Sequence, residues 1–331
     1  VADLAIVIVS HNSAFWLKPC LTTLYERAGE IELDVVVADN ESSDGSAELV
    51  ERLFPEARVL RCANRGFAYG NNRALATVTA PYVLFLNADT EILTGTLAGL
   101  LEELRRRPEV GLVGVRQLDP QGKVYPTIRR FPTATRLFFE AIGSERFPFR
   151  ARWLGERELD LRVYDSEVEC DWTSGSFMLA RREALLGAGS MDERFFMYCE
   201  EPDLCLRIKR GGWQVRHLPT MTILHHAGRA GWSTRLVAQD AYARRLYIAK
   251  HFSRVRGAAA IGAFALGHLL RAGYGAKEKQ ERRERRAASV GALRTLFGLD
   301  PPPFGERPHQ AVAELAPEQQ ADAAETLANR L

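Results

Sequence analysis

Residues 4–9, Leu-Ala-Ile-Val-Ile-Val, form an unbroken apolar run rich in β-branched side chains. Such runs make strands buried on both faces, as in parallel sheets, because alternation is needed only where one face meets water. The same reading predicts strands over 34–38, 58–61, 82–86 and 110–116. Between them the polar positions take up helical spacing. Helices are predicted over 13–27, from Asp44-Gly45 through Leu53 with Ser43 or Asp44 as cap, over 71–78, and over 94–107, where Pro108 stops the last. Strand and helix alternate, which argues for an α/β fold: a mostly parallel sheet flanked by helices. Ligands of such sheets bind beyond the carboxyl ends of the strands. Three polar clusters stand at those ends: Ser10-His11-Asn12, Asp39-Asn40 and Asn87-Ala88-Asp89.

The pattern turns irregular over 117–169, which reads as a long excursion or a loop on the ligand side. Regularity returns with a strand over 172–180, a helix from Arg182, a helix over 202–210, and two strands over 214–218 and 221–224. Beyond Thr234 the chain reads as helical, over 235–252 and 256–271, followed by a charged stretch over 277–286. The expected division is a catalytic domain over 1–233 and a helical C-terminal extension over 234–300. A linker at Pro301-Pro302-Pro303 then leads into a weakly held tail ending at 331.

Composition changes little. The 331 residues are 46% hydrophobic and carry a net charge of +2, so nothing global points to nucleic acid. Cys20, Cys62, Cys170, Cys199 and Cys205 are scattered without CxxC spacing, which argues against a disulfide framework or a zinc site and for a reducing, cytoplasmic setting. The first residues run straight into a strand pattern, so no secretory signal is expected. The apolar run over 257–270 contains His268 and is short of the roughly 20 residues a membrane span needs.

The candidate chemistry lies in acids and amides. Asp39 stands at a strand end, where a carboxylate can accept a hydrogen bond from a base N–H; Asp44-Gly45 beyond it reads as a turn with a helix cap. The loop Asn64-Arg65-Gly66-Phe67-Ala68-Tyr69-Gly70-Asn71-Asn72 brings backbone N–H groups and amides near a nucleotide or diphosphate. It is neither GxGxxG nor GxxxxGK[ST], so the dinucleotide and P-loop fingerprints are both missing. Asp89 can serve a hard divalent cation, which takes one or two carboxylates plus substrate phosphates; an ordinary turn accounts for it equally. Glu200, Glu201 and Asp203 place three carboxylates within four residues, at a helix start marked by Pro202. A cap needs only one acid, so the cluster is a candidate general base. His225, after a strand, is either structural or a second ligand for the cation.

Taken together, the segments resemble the family 2 inverting glycosyltransferases of GT-A fold, within them the rhamnosyltransferase-like branch. The resemblance is carried by Ser10-His11-Asn12, the stretch from Asp39 to Gly45, Asn64 to Asn72, Asn87-Ala88-Asp89, Trp172 to Gly175, Phe195 to Arg207, and His225 to Gly228. It implies that Asp39 binds the pyrimidine base, with Ser10, His11 and Asn12 beside it. Asn64, Gly66, Phe67, Asn71, Asn87 and Ala88 then line the nucleotide-sugar pocket. Asp89 corresponds to the last acid of the family's DxD motif, whose first position is here Asn87, and His225 completes a site for Mg²⁺ or Mn²⁺. Glu201 takes the place of the base, with Asp203 as rival and Glu200 beside them. Trp172 and Gly175 lie by the acceptor.

The resemblance further implies a nucleotide-diphosphate sugar as donor, dTDP-rhamnose first and UDP-hexoses or galactofuranose next, and a glycan or lipid-linked glycan as acceptor. Rival readings are a nucleotide-sugar-binding scaffold without turnover and a nucleotidyltransferase, which would carry a glycine-rich basic loop where Ser10-His11-Asn12 stands. Residues 256–271 and 277–286, apolar and then basic, read as a peripheral membrane contact on the inner face of the cell membrane. Packing on the catalytic domain or self-association competes with that reading, and the pairs Glu278 with Arg282 and Glu281 with Arg285 fit an exposed helix in either case.

Overall fold

The computed structural model describes residues 2–143, 152–226, 233–273 and 279–304. The parallel half of the sheet follows the predicted runs: β1 (Leu4–Ser10), β2 (Leu33–Asn40), β3 (Arg58–Cys62) and β4 (Tyr82–Asn87), with α1 (Ala14–Glu26), α2 (Ser46–Leu53) and α3 (Phe67–Leu75) as crossovers. β1 lies between β2 and β4, parallel to both, and β3 extends the sheet parallel to β2. Alternate residues of β1 feed opposite layers: Leu4, Ile6 and Ile8 pack with α1, while Ala5 and Val7 pack with α3. Burial on both faces is why the run is apolar throughout.

The other half is mixed. The chain continues through β5 (Thr90–Thr94), α4 (Leu97–Arg105), β6 (Val110–Leu118), α5 (Ala134–Ala141), the short β7 (Val168–Glu169), β8 (Phe177–Arg181), α6 (Arg182–Gly187), α7 (Glu200–Arg210) and β9 (Gln214–His225). The strand order is β3-β2-β1-β4-β8-β6-β9-β5, with β7 also on β9. β8 runs antiparallel to β4 and β6, whereas β9 is parallel to β6 and antiparallel to β5.

Several predicted boundaries move for local reasons. The helix expected from Thr94 starts at Leu97, because Gly95 at φ 82° breaks the chain and Thr96 caps the helix by accepting from the Gly99 amide. The helix expected over 71–78 is α3, which begins earlier, at Phe67, and ends at Leu75, so the second half of the Asn64–Asn72 loop is helical. Of the strand expected over 172–180 only Phe177 onward joins the sheet. The two strands expected after Gln214 are one, β9, whose register against β6 shifts between Leu218 and Thr222.

The extension comprises α8 (Thr234–His251), α9 (Arg254–Gly273) and α10 (Lys279–Leu296). Ala260, Phe264, Ala292 and Leu296 form a core with Leu137 of α5. Packing therefore uses one face of the apolar α9, while Val255 and Leu269 stay exposed. Tyr247 and Ala243 of α8 join Phe195 and Cys199, which ties the extension to the segment before α7. Pro301–Phe304, expected as a linker, folds back on the catalytic region: the Phe304 ring stacks on Phe196 at 5.4 Å. Among the described residues no helix is long and apolar enough to cross a membrane. Ala227 and Gly228 of the histidine motif, Lys277 and Glu278, and the tail from residue 305 lie outside the described residues.

Candidate active site

The ends of β1, β2 and β4 open into a cleft of about 600 Å³. The loops after β1 and β2 are laced together. Asn12, in the left-handed region at φ 51°, accepts from the Ser43 amide at 2.8 Å, and its own amide donates to Ser42 Oγ at 2.9 Å. His11 Nδ1 lies 2.7 Å from the Asn40 carbonyl oxygen, and Asn64 Nδ2 lies 3.3 Å from the same ring nitrogen. Asp44 accepts from the first amides of α1 and α2, Ala14 and Ser46, while Gly45, not the expected Ser43 or Asp44, stands at the start of α2.

Asp39 is buried, one carboxylate oxygen accepting from the Ser42 amide and the other without a partner. Ser10, its register partner on β1, is wholly buried with an unpartnered hydroxyl. Unpaired polar atoms inside a protein are costly, so this pair at the strand ends is a candidate for a polar partner. Asn71 also has an orphan side-chain oxygen, but its amide nitrogen is spent on the Phe67 carbonyl. Ser10, Asp39 and Asn71 sit behind the cleft wall, whereas His11, Asn12, Asn64, Gly66 and Phe67 line it. Gly66, at φ 103°, lets the chain pass against Phe196: the Phe67 amide donates to the Phe196 carbonyl at 2.7 Å, and a Cβ at 66 would collide with that carbonyl.

Asn87, Ala88 and Asp89 line the cleft beside His225. His225 Nε2 stands 3.2 Å from Asp89 Oδ1 and 3.3 Å from Asn87 Nδ2. Its other nitrogen, Nδ1, meets Gln117 Nε2 at 2.6 Å. The two residues expected to share a cation, 136 positions apart in sequence, are thus neighbours because β9 returns along β5. Among the described residues there is no group of three His, Cys, Asp or Glu side chains fit to hold a metal. One carboxylate and one imidazole suit a Mg²⁺ or Mn²⁺ ion that takes its remaining ligands from a diphosphate and water.

Glu200 and Glu201 face the same cleft. Tyr198 and Cys199 precede them at φ 73° and 65°, consecutive left-handed residues that turn the chain sharply into α7. Such conformations persist where surrounding structure enforces them; here Cys199 packs on α8, and the Gln239 amide donates to the Met197 carbonyl at 3.2 Å. Burial pushes the Glu200 carboxyl well above the ordinary carboxylate range, and the neighbouring Glu201 charge adds to the rise. One Glu200 oxygen has no partner. Burial also raises Glu201, but the helix-start amides, the Gly175 amide at 3.2 Å and the charge of Arg129 oppose it. Burial thus raises both carboxyls, Glu200 well above its ordinary value, while Glu201 has the partners that favour its charged form.

Asp203, expected as the rival base, is placed elsewhere. It does not line the cleft; its carboxylate is wholly buried and bonded to Arg207, Lys250 and His251 at 2.6, 2.7 and 2.6 Å. Burial would raise it, but the His251 hydrogen bond and the charges of Arg207 and Lys250 hold it below its ordinary value. It clamps α8 to α7 and is unfit as a base. Trp172 also lies away from the cleft, donating from Nε1 to the Arg130 carbonyl with Arg129 over its ring, while Gly175 lines the cleft against Glu201. Sequence reading missed Trp16, Ser176 and Phe304, all cleft residues; Trp16 stacks on His226 at 4.5 Å. A tryptophan on the first turn of the helix after Asn12 was the one local sign.

A second cavity of about 610 Å³ begins at Tyr198, which lines both spaces, and runs between α5, α8 and α9 past Leu236, Phe264 and His268.

A mixed sheet with helices on both faces, and a polar cleft at the ends of its parallel strands, is the GT-A architecture of glycosyltransferases. The chain is similar to the mannosyltransferase PcManGT from Pyrobaculum calidifontis, solved with GDP-Man and Mn²⁺: TM-score 0.54 at 17% identity, over 90% of this chain and 88% of that one. It is 32% identical over 235 residues to the N-acetylglucosaminyl-diphospho-decaprenol L-rhamnosyltransferase of Mycobacterium tuberculosis, covering 67% of this chain and 76% of the relative. It is 25% identical to the rhamnosyltransferase WbbL of Escherichia coli, over 67% of this chain and 83% of that one. The pattern described as "Glycosyl transferase family 2" matches residues 5–165. The chain belongs to glycosyltransferase family 2 and is a glycosyltransferase.

Proposed function

We propose that this enzyme transfers a sugar, with rhamnose from dTDP-rhamnose as the first candidate, onto a hydroxyl of a lipid-linked glycan, inverting the anomeric carbon. The observation that carries the reading is the pairing, in one cleft, of a carboxyl pair at Glu200 and Glu201 with the Asp89–His225 couple. The rhamnosyltransferase relatives support the donor, and the diphospho-decaprenol acceptor of the mycobacterial relative supports the lipid link.

The Asp39 oxygen and the Ser10 hydroxyl, buried behind the cleft wall, would serve the N–H and carbonyl edge of a pyrimidine base that displaces the wall to reach them. His11, Asn12 and Asn64 flank the path from base to sugar. Asp89 and His225 would hold Mg²⁺ or Mn²⁺, which when bound neutralises charge on the departing diphosphate. Glu201, ionised and held by the Gly175 amide, takes the proton from the acceptor hydroxyl as the new bond forms. Glu200, still protonated, keeps a second negative charge away from that base. No covalent intermediate is required, in keeping with a single displacement. The acceptor's remainder extends past Tyr198 into the second cavity, and the apolar exposed residues Leu269 and Phe297 support peripheral docking on a membrane.

The test is donor hydrolysis and transfer over a panel of nucleotide sugars, with and without Mn²⁺, for the wild type and Glu201→Gln. Transfer that survives Glu201→Gln undiminished would remove Glu201 from the chemistry. Hydrolysis of no dTDP- or UDP-sugar would remove the donor class.

A further inference from the structure

The second cavity, about 610 Å³, falls within the roughly 300–1,000 Å³ of small-molecule sites, and its lining narrows what it suits. His268 of α9 lines it at 3% exposure, and neither ring nitrogen has a hydrogen-bond partner. Burial, with the nearby charges of Arg271 and Arg244, pushes its pKa down to about 4, so the ring is neutral. It offers one N–H donor and one bare acceptor nitrogen. Buried polar groups are nearly always paired, so two orphan atoms on one ring suit a ligand that carries hydroxyl groups.

The charges around the cavity narrow the class further. Arg244 is committed: Nη1 lies 3.0 Å from Glu156 Oε1, Nε lies 3.4 Å from Asp240 Oδ2, and the guanidinium stands 5.3 Å from the Phe264 ring centre. Arg271 makes no ion pair among the described residues. It shares the cavity with the carboxylates of Glu140 and Asp240, whose charges reach it. A diphosphate entering here would leave water for one uncommitted arginine and two carboxylates, and buried charge needs pairing. An alkyl chain would shut His268 and the charged groups away from any partner. A neutral sugar meets both conditions. Its hydroxyls donate to the carboxylates and the bare imidazole nitrogen, and accept from Arg271 and the imidazole N–H. Tyr125, which lines the cavity at 38% exposure, presents a ring face to the sugar's C–H groups.

Tyr198 lines both this cavity and the cleft that holds Glu201. Resting on the reading of Glu201 as the base for the acceptor hydroxyl, we propose that the second cavity is a saccharide subsite: the sugar that receives the transferred residue sits by Tyr198 and Glu201, and the next sugar of a neutral glycan sits against His268 and Arg271. The acceptor is then a glycan of at least two sugars, and a lipid diphosphate lies beyond the cavity.

Binding, which needs no turnover, tests the subsite. Saturation-transfer difference NMR and calorimetry are recorded on the full chain with uridine diphosphate present. The probes are N-acetylglucosamine, galactose and rhamnose, the disaccharides built from them, and farnesyl diphosphate. A disaccharide is expected to bind the wild type more tightly than either of its sugars alone. His268→Leu and Arg271→Met are each expected to weaken that disaccharide about 10-fold, through lost hydrogen bonds. His268→Leu removes a buried unpaired group and is expected to melt no lower than the wild type. Arg271→Met, at an exposed position, keeps the test open if the leucine variant does not fold. A wild type that binds no disaccharide more tightly than its parts would overturn the subsite, as would either folded variant binding the disaccharide within twofold of wild type. Farnesyl diphosphate binding that both variants lose, with the disaccharides untouched, would overturn it in favour of the lipid carrier. Transfer that survives Glu201→Gln would overturn the base, and with it the link between this cavity and the acceptor. Transfer lost in Glu201→Gln, with disaccharide binding undiminished in His268→Leu and Arg271→Met, would overturn the subsite alone.

Discussion

Glu201 Oε1 lies 3.2 Å from the Gly175 amide nitrogen, and a methyl group at position 175 would come within 2.6 Å of that oxygen. The glycine thus both bonds the carboxylate and leaves room for it. Gly175→Ala is expected to displace Glu201 and lower the transfer rate constant by about 100-fold, the scale of a misplaced catalytic group. Donor affinity by calorimetry should be unchanged; a loss of affinity equal to the loss of rate would mean that the site as a whole had collapsed.

Glu201 acts when ionised, and burial raises its pKa. Transfer should fall as pH drops through this raised value, so the acidic limb of kcat/KM belongs above the ordinary glutamate value of about 4.3. A pH profile on the wild type checks the position of the limb; an acidic limb below that value would contradict the assignment.

Glu200 prefers its proton in the folded state. The unfolded chain releases it at lower pH, so the penalty for burying Glu200 is absent in acid and grows as pH rises past the unfolded value. Glu200→Gln removes that titration. Its melting temperature should match the wild type near pH 4 and exceed it increasingly toward pH 8, as followed by calorimetry. A constant difference across the range would mean that packing, not ionisation, had changed.

Asp39→Asn exchanges a lone carboxylate acceptor for an amide. A hydrogen bond to a charged group contributes about 1.5–3 kcal/mol, so nucleotide affinity should weaken roughly 10- to 100-fold. Titration with dTDP and UDP measures it, and unchanged affinity for both would move the base elsewhere.

Leu236 is half-buried and lines the second cavity without touching the carboxyl pair's cleft. Leu236→Trp should fill that space, raising the KM for acceptor severalfold while donor hydrolysis stays at the wild-type rate. Loss of both activities together would place the effect on the fold.

What could be read from the chain in advance depended on how local its cause was. β1 and β4 were legible because burial on both faces writes a continuous apolar run, and their polar ends pointed to Ser10, Asn87 and Asp89. β5 was not legible, being five residues long and set by its pairing with distant β9. Asp203 looked like a base because its partners Lys250 and His251 stand 47 and 48 residues downstream, where no spacing rule links them to it. Gln117 fell at the start of the stretch read as irregular, just past a predicted strand, and nothing nearby shows that its amide meets His225. Asp39 and Ser10 were read correctly as strand-end residues, but only burial reveals that each keeps an oxygen without a partner.

Phe304 closes the described part of the chain against Phe196, whose carbonyl also receives the Phe67 amide at the rim of the cleft. Arg235, from the start of α8, covers the other side of that ring at 3.9 Å. The cleft and the helical extension therefore share a contact of stacked groups, Phe196, Phe304 and Arg235. A ligand that orders Phe196 is therefore expected to slow hydrogen exchange in α8 as well, and by reciprocity a variant that loosens this ring contact is expected to bind that ligand less tightly.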